Sequence, residues 1–411
     1  MLTMKIYNRI LTLASIAILL GSCSEDTTSN NEVVVPLDPN SKYIHFDADV
    51  STRGVLINGN ILEDNFNVLG YQYRGSWEAA KVLATPNVFD TMPELVSYSG
   101  GVYSYEDIQP WSGNTYSFFG YYPSNSKYIT LFDNGTAKTG DPYIIYNFPT
   151  DSDPTLHIDV MTADYIDTGI ASSANVQMHF RHRLCAVDVG ARNYYTFDHD
   201  NNSLTDDKEV TIEITRLDVA FNNIVNTSAK IYLDHNIPTV YPNAQTKASI
   251  NYAMVGTAPW APSTFDVEPN TKTDRGIRLV THSTGENASS MMFIPQEELV
   301  SGTVDLSYRK KYIADDGKTL YQRINFGDNN ETFYTWTELP TDQNALKYYE
   351  FAPNLNINFD KPLIEGRRYY IELTFTSDAV SVNIIAADEW NSDRNGDGKI
   401  DDKDNIYYKF E

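Results

Sequence analysis

A chain of 411 residues with 55 Asp and Glu against 31 Lys and Arg, a formal charge of -24, presents a surface that repels phosphate backbones and argues against nucleic acid as a partner. With 41% hydrophobic and 13% aromatic residues, including 29 Tyr, it can bury sizeable cores, enough for two domains, and is not a disordered chain. Its two cysteines, Cys23 and Cys185, supply no disulfide framework, so stability has to come from packing or from packing with metal.

The chain opens with Lys5 and Arg9 and then an apolar run from Ile10 to Leu20. That run is too short to span a bilayer and has the charged-then-apolar order of a secretory signal. Leu20-Gly21-Ser22-Cys23 resembles a bacterial lipobox, in which Cys23 is acylated and becomes the new N-terminus. Residues 1–22 are therefore expected to be a lipoprotein signal peptide and 23–42 a tether, and no second apolar stretch reaches membrane-spanning length. Ser24-Glu25-Asp26 is similar to the acidic tag that sends some lipoproteins of Gram-negative anaerobes to the outer face of the outer membrane.

Next, Tyr43 to Val50 alternates with period two. Ile44, Phe46, Ala48 and Val50 fall on one side and Tyr43, His45, Asp47 and Asp49 on the other, the pattern of a half-buried strand. Directly after it, Ser51-Thr52-Arg53-Gly54 offers a trypsin-like protease a basic site between Arg53 and Gly54. A strand clipped off there leaves an empty place in a sheet.

Further strands are predicted at Phe66 to Tyr73, at Tyr98 to Tyr105 around a Gly100-Gly101 turn or bulge, and at the aromatic run Thr115 to Pro123. Helical periodicity is scarce, its best short candidates being Trp77 to Leu83 and Thr341 to Tyr348. The small and polar stretch from Asp167 to Asn175 reads as a linker, which divides the chain into domains at 43–172 and 173–411. From Val176 to Val189 the apolar parity slips near His182 to Leu184, which predicts a β-bulge. Cys185 falls among apolar neighbours and reads as a small buried hydrophobe rather than a reactive thiol. Strands follow at Val210 to Phe221, Ala229 to Leu233 and Met291 to Ile294, and then at Leu306 to Tyr312 and Thr319 to Ile324, which flank the Asp315-Asp316-Gly317 hairpin signal. Tyr369 to Phe375 and Val380 to Ile384 complete a pattern that fits an all-β chain of two antiparallel β-sandwiches with few short helices.

The sequence from Asp393 to Asp404 places Asp393, Asn395, Asp397, the Lys399 carbonyl, Asp401 and Asp404 at the ligand positions of an EF-hand-type calcium loop, with Gly398 at its turn. Asp404 stands where Glu is usual, and the flanks read as strands, so a solvated acidic hairpin is the alternative to Ca2+. A fainter echo runs from Asp198 to Glu209, with Ser203 in place of the glycine. After it, Ile406, Tyr408 and Phe410 alternate with Tyr407, Lys409 and Glu411 and form a candidate donor strand. Catalytic signatures are lacking: there is no Gly-x-Ser-x-Gly, no His-Glu-x-x-His, no phosphate-cradling loop and no zinc-like cysteine cluster, and no enzyme is expected. His179 and His182, read as sharing one face of a regular strand and so able in principle to share a metal, fit structural histidines better.

Taken in order, the lipobox, Phe46 to Gly54, Trp111 to Pro123, Asp159-Val160-Met161-Thr162-Ala163, Phe180-Arg181-His182, Phe293-Ile294-Pro295-Gln296 and Gly366 to Trp390 resemble the fimbrillin (type V pilin, FimA/Mfa-like) family of surface lipoproteins from Gram-negative anaerobes. The resemblance implies two tandem transthyretin-like sandwiches and a subunit of a thin surface fimbria that contributes to adhesion. It also implies that a protease cuts after Arg53, that the strand with Ile44, Phe46, Ala48 and Val50 leaves, and that a strand of another fimbrial subunit fills the groove. Self-polymerisation and hetero-assembly both fit, with the precursor held to the outer membrane by its lipid. The alternatives are a tip adhesin that grips glycan or host protein and an anchor subunit that keeps its lipid uncut.

Overall fold

The computed structural model describes residues 42–50, 62–132, 139–150, 153, 156–168, 175–198, 207–224, 227–239, 248–256, 263–269, 277–278, 291–340, 347–376 and 379–386. Short runs of aromatic and β-branched residues, cut by turn residues every few positions, favour strands over helices along nearly all of this length. In chain order come β1 (Phe46–Val50), β2 (Phe66–Tyr73), the short helix α1 (Trp77–Ala80), β3 (Glu94–Ser99), β4 (Val102–Ser104), β5 (Thr115–Tyr122), β6 (Ile129–Leu131), β7 (Tyr143–Asn147), β8 (Met161–Thr168) and β9 (Val176–His182). They are followed by β10 (Cys185–Asn193), β11 (Thr196–Asp198), β12 (Asp207–Glu209), β13 (Thr211–Ile224), β14 (Ser228–Tyr232), β15 (Ala248–Val255), β16 (Phe265–Val267) and β17 (Ile277–Arg278). The last are β18 (Met291–Phe293), β19 (Ser301–Ile313), β20 (Thr319–Phe326), β21 (Thr332–Thr337), β22 (Glu350–Asn358), β23 (Arg368–Phe375) and β24 (Val380–Ala386).

A first, seven-stranded sheet has the order β1-β9-β8-β5-β2-β3-β4. One face gathers Phe66, Val68, Val96, Phe118, Met178 and Phe180 into an enclosed apolar core. Its other face turns Leu69, Tyr71, Phe119 and Tyr121 into a larger core shared with Ile144, Tyr146, Val187 and Phe293. Because both faces are covered, β2 is buried from Phe66 to Tyr71, and Asn67 within that run is satisfied by donating from Nδ2 to the Ser124 carbonyl at 2.7 Å. The second sheet runs β17-β10-β23-β24 with β18 also on β10, and the third runs β15-β13-β19-β20-β21 with β16 on β13 and β22 on β19. Smaller sheets pair β14-β7-β6 and β11-β12.

The all-β expectation holds, while several local expectations are corrected. Among the described residues every strand pair is antiparallel except two, β1 with β9 and β10 with β23, which run parallel. The stretch read as an interdomain linker joins β8 to β9, antiparallel neighbours in one sheet. Residues 169–174 lie outside the described residues, and the strands on either side of them pair within one sheet, so the division at 172 does not follow the sheets. The parity slip near His182 to Leu184 is no bulge either: β9 ends at His182 in the first sheet, and β10 starts at Cys185 in the second. The chain changes sheets there, and its side chains change faces with it.

The helix expected over Trp77 to Leu83 stops at Ala80, where Trp77 alone is buried. Of the candidate over Thr341 to Tyr348, the described residues are Lys347 and Tyr348, in a single tight turn. Gly100 and Gly101, at φ of 59° and 86°, make the turn between β3 and β4. Gly317, at φ of 83°, closes the β19–β20 hairpin as Asp-Gly predicts.

Candidate functional site

The strand β1 forms one edge of the first sheet, and the sheet curls until its opposite end reaches β1. On one side β1 pairs in parallel with β9, in register from Phe46 opposite Val176 to Val50 opposite Phe180. The Val176 N–H extends that ladder by donating to the His45 carbonyl at 2.7 Å. On the other side the partners are single bonds rather than a ladder. The Ile44 N–H donates to the Gln109 carbonyl at 2.8 Å, the Trp111 N–H donates to the Lys42 carbonyl at 2.8 Å, and the Leu62 N–H donates to the Ala48 carbonyl at 3.2 Å. Two phenols complete this wall: Tyr105 Oη donates to the Ile44 carbonyl at 2.7 Å and Tyr103 Oη to the Ala48 carbonyl at 3.1 Å. Burial pushes both phenols above the ordinary tyrosine range, so they stay protonated and remain donors.

The inward side chains explain why the strand stays. Ile44 is fully buried, Phe46 is 2% exposed and Ala48 5% exposed, and Val50 is partly covered. Around the Phe46 ring stand Phe118 at 5.4 Å, Tyr105 at 5.5 Å, and Phe66 and Phe89 each at 6.3 Å. Burying Ile44 and Phe46 stabilises the seated strand by about 3–6 kcal/mol before ordering costs. Below them β5 carries Gly120, where an added Cβ would lie 2.9 Å from Met178 Cε and 3.1 Å from Phe180 Cζ. Glycine there lets the β9 side chains reach the floor of the core.

On the outward face β1 and β9 match by polarity. Asp47 Oδ2 accepts from Asn175 Nδ2 at 2.6 Å and from Gln177 Nε2 at 2.8 Å, and Asp49 Oδ1 lies 2.8 Å from His179 Nδ1. His182, three residues on, lies on the opposite face of β9, buried with Nδ1 2.7 Å from Asp159 Oδ2. An odd spacing in a strand puts two residues on opposite faces, so the two histidines share no metal, contrary to the single-face reading. Among the described residues no group of three or more His, Cys, Asp or Glu is placed to hold a metal ion. Cys185 is buried, its Sγ 3.2 Å from the Phe293 carbonyl, and burial pushes its thiol well above the ordinary range. It packs and does not react.

The strand residues Ile44, Phe46, Ala48 and Val50 thus come together on one core. Cys23, Arg53, Gly54, the loop residues Asp393, Asn395, Asp397, Lys399, Asp401 and Asp404, and the tail residues Ile406, Tyr408 and Phe410 lie outside the described residues. The echo at Asp198 to Glu209 is set on a hairpin in which Asp198 pairs with Asp207 and Glu209 pairs with Thr196. Residues 199–206 of that stretch lie outside the described residues. Sequence reasoning did not find Tyr103, Tyr105, Gln109 and Trp111 as the far wall, nor Asn175, Gln177 and His179 as the outward partners. The polar alternation of β9 was visible, but nothing in one sequence says which strand lies beside it.

A fimbrillin-like family model matches residues 52–390, beginning two residues after the end of β1. Among solved structures, a fimbrial protein from Bacteroides vulgatus superposes with a TM-score of 0.55 at 16% identity, over 84% of this chain and 99% of that one. The fimbrial anchor protein Mfa2 from Porphyromonas gingivalis matches at a TM-score of 0.30 and 10% identity, over 85% of this chain and 97% of that one. The tip fimbrial protein Mfa3 of the same organism, with a C-terminal truncation, matches at 0.26 and 9%, over 85% and 99%. No curated protein sequence matches the chain.

Proposed function

The chain belongs to the fimbrillin-like family, and from that premise we propose that it is a structural subunit of a cell-surface fimbria, assembled when its first strand is cut away and a neighbour's strand takes the place. In this reading Cys23 carries the acyl group that holds the precursor at the outer membrane, and a protease cuts between Arg53 and Gly54. The strand β1 then leaves, and an incoming strand makes main-chain bonds to β9 while its alternate apolar side chains fill the vacated core. The tail residues Ile406, Tyr408 and Phe410 supply a strand for a neighbouring subunit.

The observation that carries the proposal is the standing of β1. It is an edge strand with one strand neighbour, so the other six strands of its sheet stay paired without it. Yet its side chains plug a core that water cannot be left to fill. Treating the precursor with trypsin together with the other fimbrial subunits of its cells tests the reading: a cut after Arg53 followed by detergent-resistant ladders that contain this chain, and fibres by microscopy, is expected. A cut chain that enters no ladder in that mixture overturns it.

A second reading, a tip adhesin, is favoured by the β20–β21 hairpin. Phe326, opposite Thr332, and Tyr334, opposite Ile324, share one face of the hairpin and are 75% and 54% exposed, an aromatic pair that stacks on sugar rings. A glycan array is expected to show binding that Phe326→Ala with Tyr334→Ala removes; an unchanged array profile argues for the structural role alone.

A further inference from the structure

The seat of β1 selects by charge and size as well as by apolarity. Along the outward face of β9 stand Asn175, Gln177, His179 and Arg181, four side chains that can all donate and none of which is acidic. Opposite them β1 places two carboxylates: Asp47, held by Asn175 and Gln177, and Asp49, held by His179. On the inward face the Ala48 position is 5% exposed and closed by the Tyr103 hydroxyl on the carbonyl side. At a position this buried a larger side chain has to displace its neighbours.

Resting on the strand-exchange reading, we propose that the occupant that replaces β1 is an acidic strand from a different subunit, with carboxylates opposite Gln177 and His179 and a small residue at the Ala48 position. A second copy of this chain offers the wrong strand. With Ile406, Tyr408 and Phe410 facing inward in place of Ile44, Phe46 and Ala48, a phenylalanine falls where Ala48 sits and Lys409 falls opposite Gln177. Shifted by two residues, the same tail puts Tyr408 at Ala48 and Lys409 opposite His179. Either register overfills the core and sets a cation against a row of donors.

The test uses the full chain cut after Arg53 and fluorescent peptides exchanged into the seat, read by anisotropy. A peptide of residues 42–50 is expected to bind at least about tenfold tighter than its D47K/D49K form and than a peptide of residues 402–411. Placing Gln177→Glu with His179→Glu on the seat is expected to reverse the order of the first two peptides, which a merely structural role for these side chains would not do. Equal binding of all three peptides, or tightest binding by the tail, overturns the acidic-strand specificity while strand exchange stands. Binding by none of them overturns both.

Discussion

Replacing Phe46 with alanine is expected to destabilise the uncut chain by about 3–5 kcal/mol, the range for removing a buried aromatic side chain. The cost should lie near the top of that range because the four rings around Phe46 come from separate segments: β2, the 89 region, the chain after β4, and β5. Each is anchored in its own ladder or turn, so the hole cannot close by a small shift. The loss should also be local. Hydrogen exchange at the β9 amides should quicken by orders of magnitude, while β13 and β19, which pair with each other in the third sheet, keep their protection. His45→Ala, on the outward face of the same strand, should change stability by less than about 0.5 kcal/mol. A Phe46→Ala chain with unchanged β9 exchange would mean that packing does not hold the first strand.

The second large effect belongs to the body that must stay rigid when β1 leaves. Arg192 on β10 is 2% exposed, and its Nε donates to Glu372 Oε2 on β23 at 2.5 Å, with Nη1 donating to Tyr194 Oη at 3.3 Å. Glu372→Ala takes the carboxylate from a buried guanidinium and is expected to cost about 3–5 kcal/mol in denaturant unfolding. Arg192→Met combined with Glu372→Leu removes both charges and should recover most of that loss, because neither partner is then left desolvated. Peptide exchange at the first strand should be unaffected by either variant. A single variant as stable as the parent would show that water reaches the pair.

The two strands with the largest role in this account were differently legible. The alternation of Ile44, Phe46, Ala48 and Val50 announced β1, because a period of two with one apolar side allows little else. Its partner was hidden: β9 starts more than a hundred residues later and pairs in parallel, a choice that depends on the whole sheet. Where the chain changes sheets between His182 and Cys185, the apolar phase slips just as it would at a bulge, since both events turn one residue to the other face. Likewise the small polar residues between β8 and β9 read as a linker because composition does not distinguish a connection between neighbouring strands from one between domains. The tyrosine wall was unreadable for a further reason. Tyr103 and Tyr105 act through hydroxyls that reach across to backbone carbonyls, and no side-chain pattern encodes that reach.

Everything in the proposed assembly turns on whether the leading strand is absent from the finished fibre. Mass spectrometry of detergent-resistant ladder bands, cut from a gel after trypsin treatment, measures this directly. Subunits that begin at Gly54, with no peptide covering 42–50, are the predicted outcome. Bands whose subunits still carry residues 42–50 would contradict it, for then the chains join with every seat already filled.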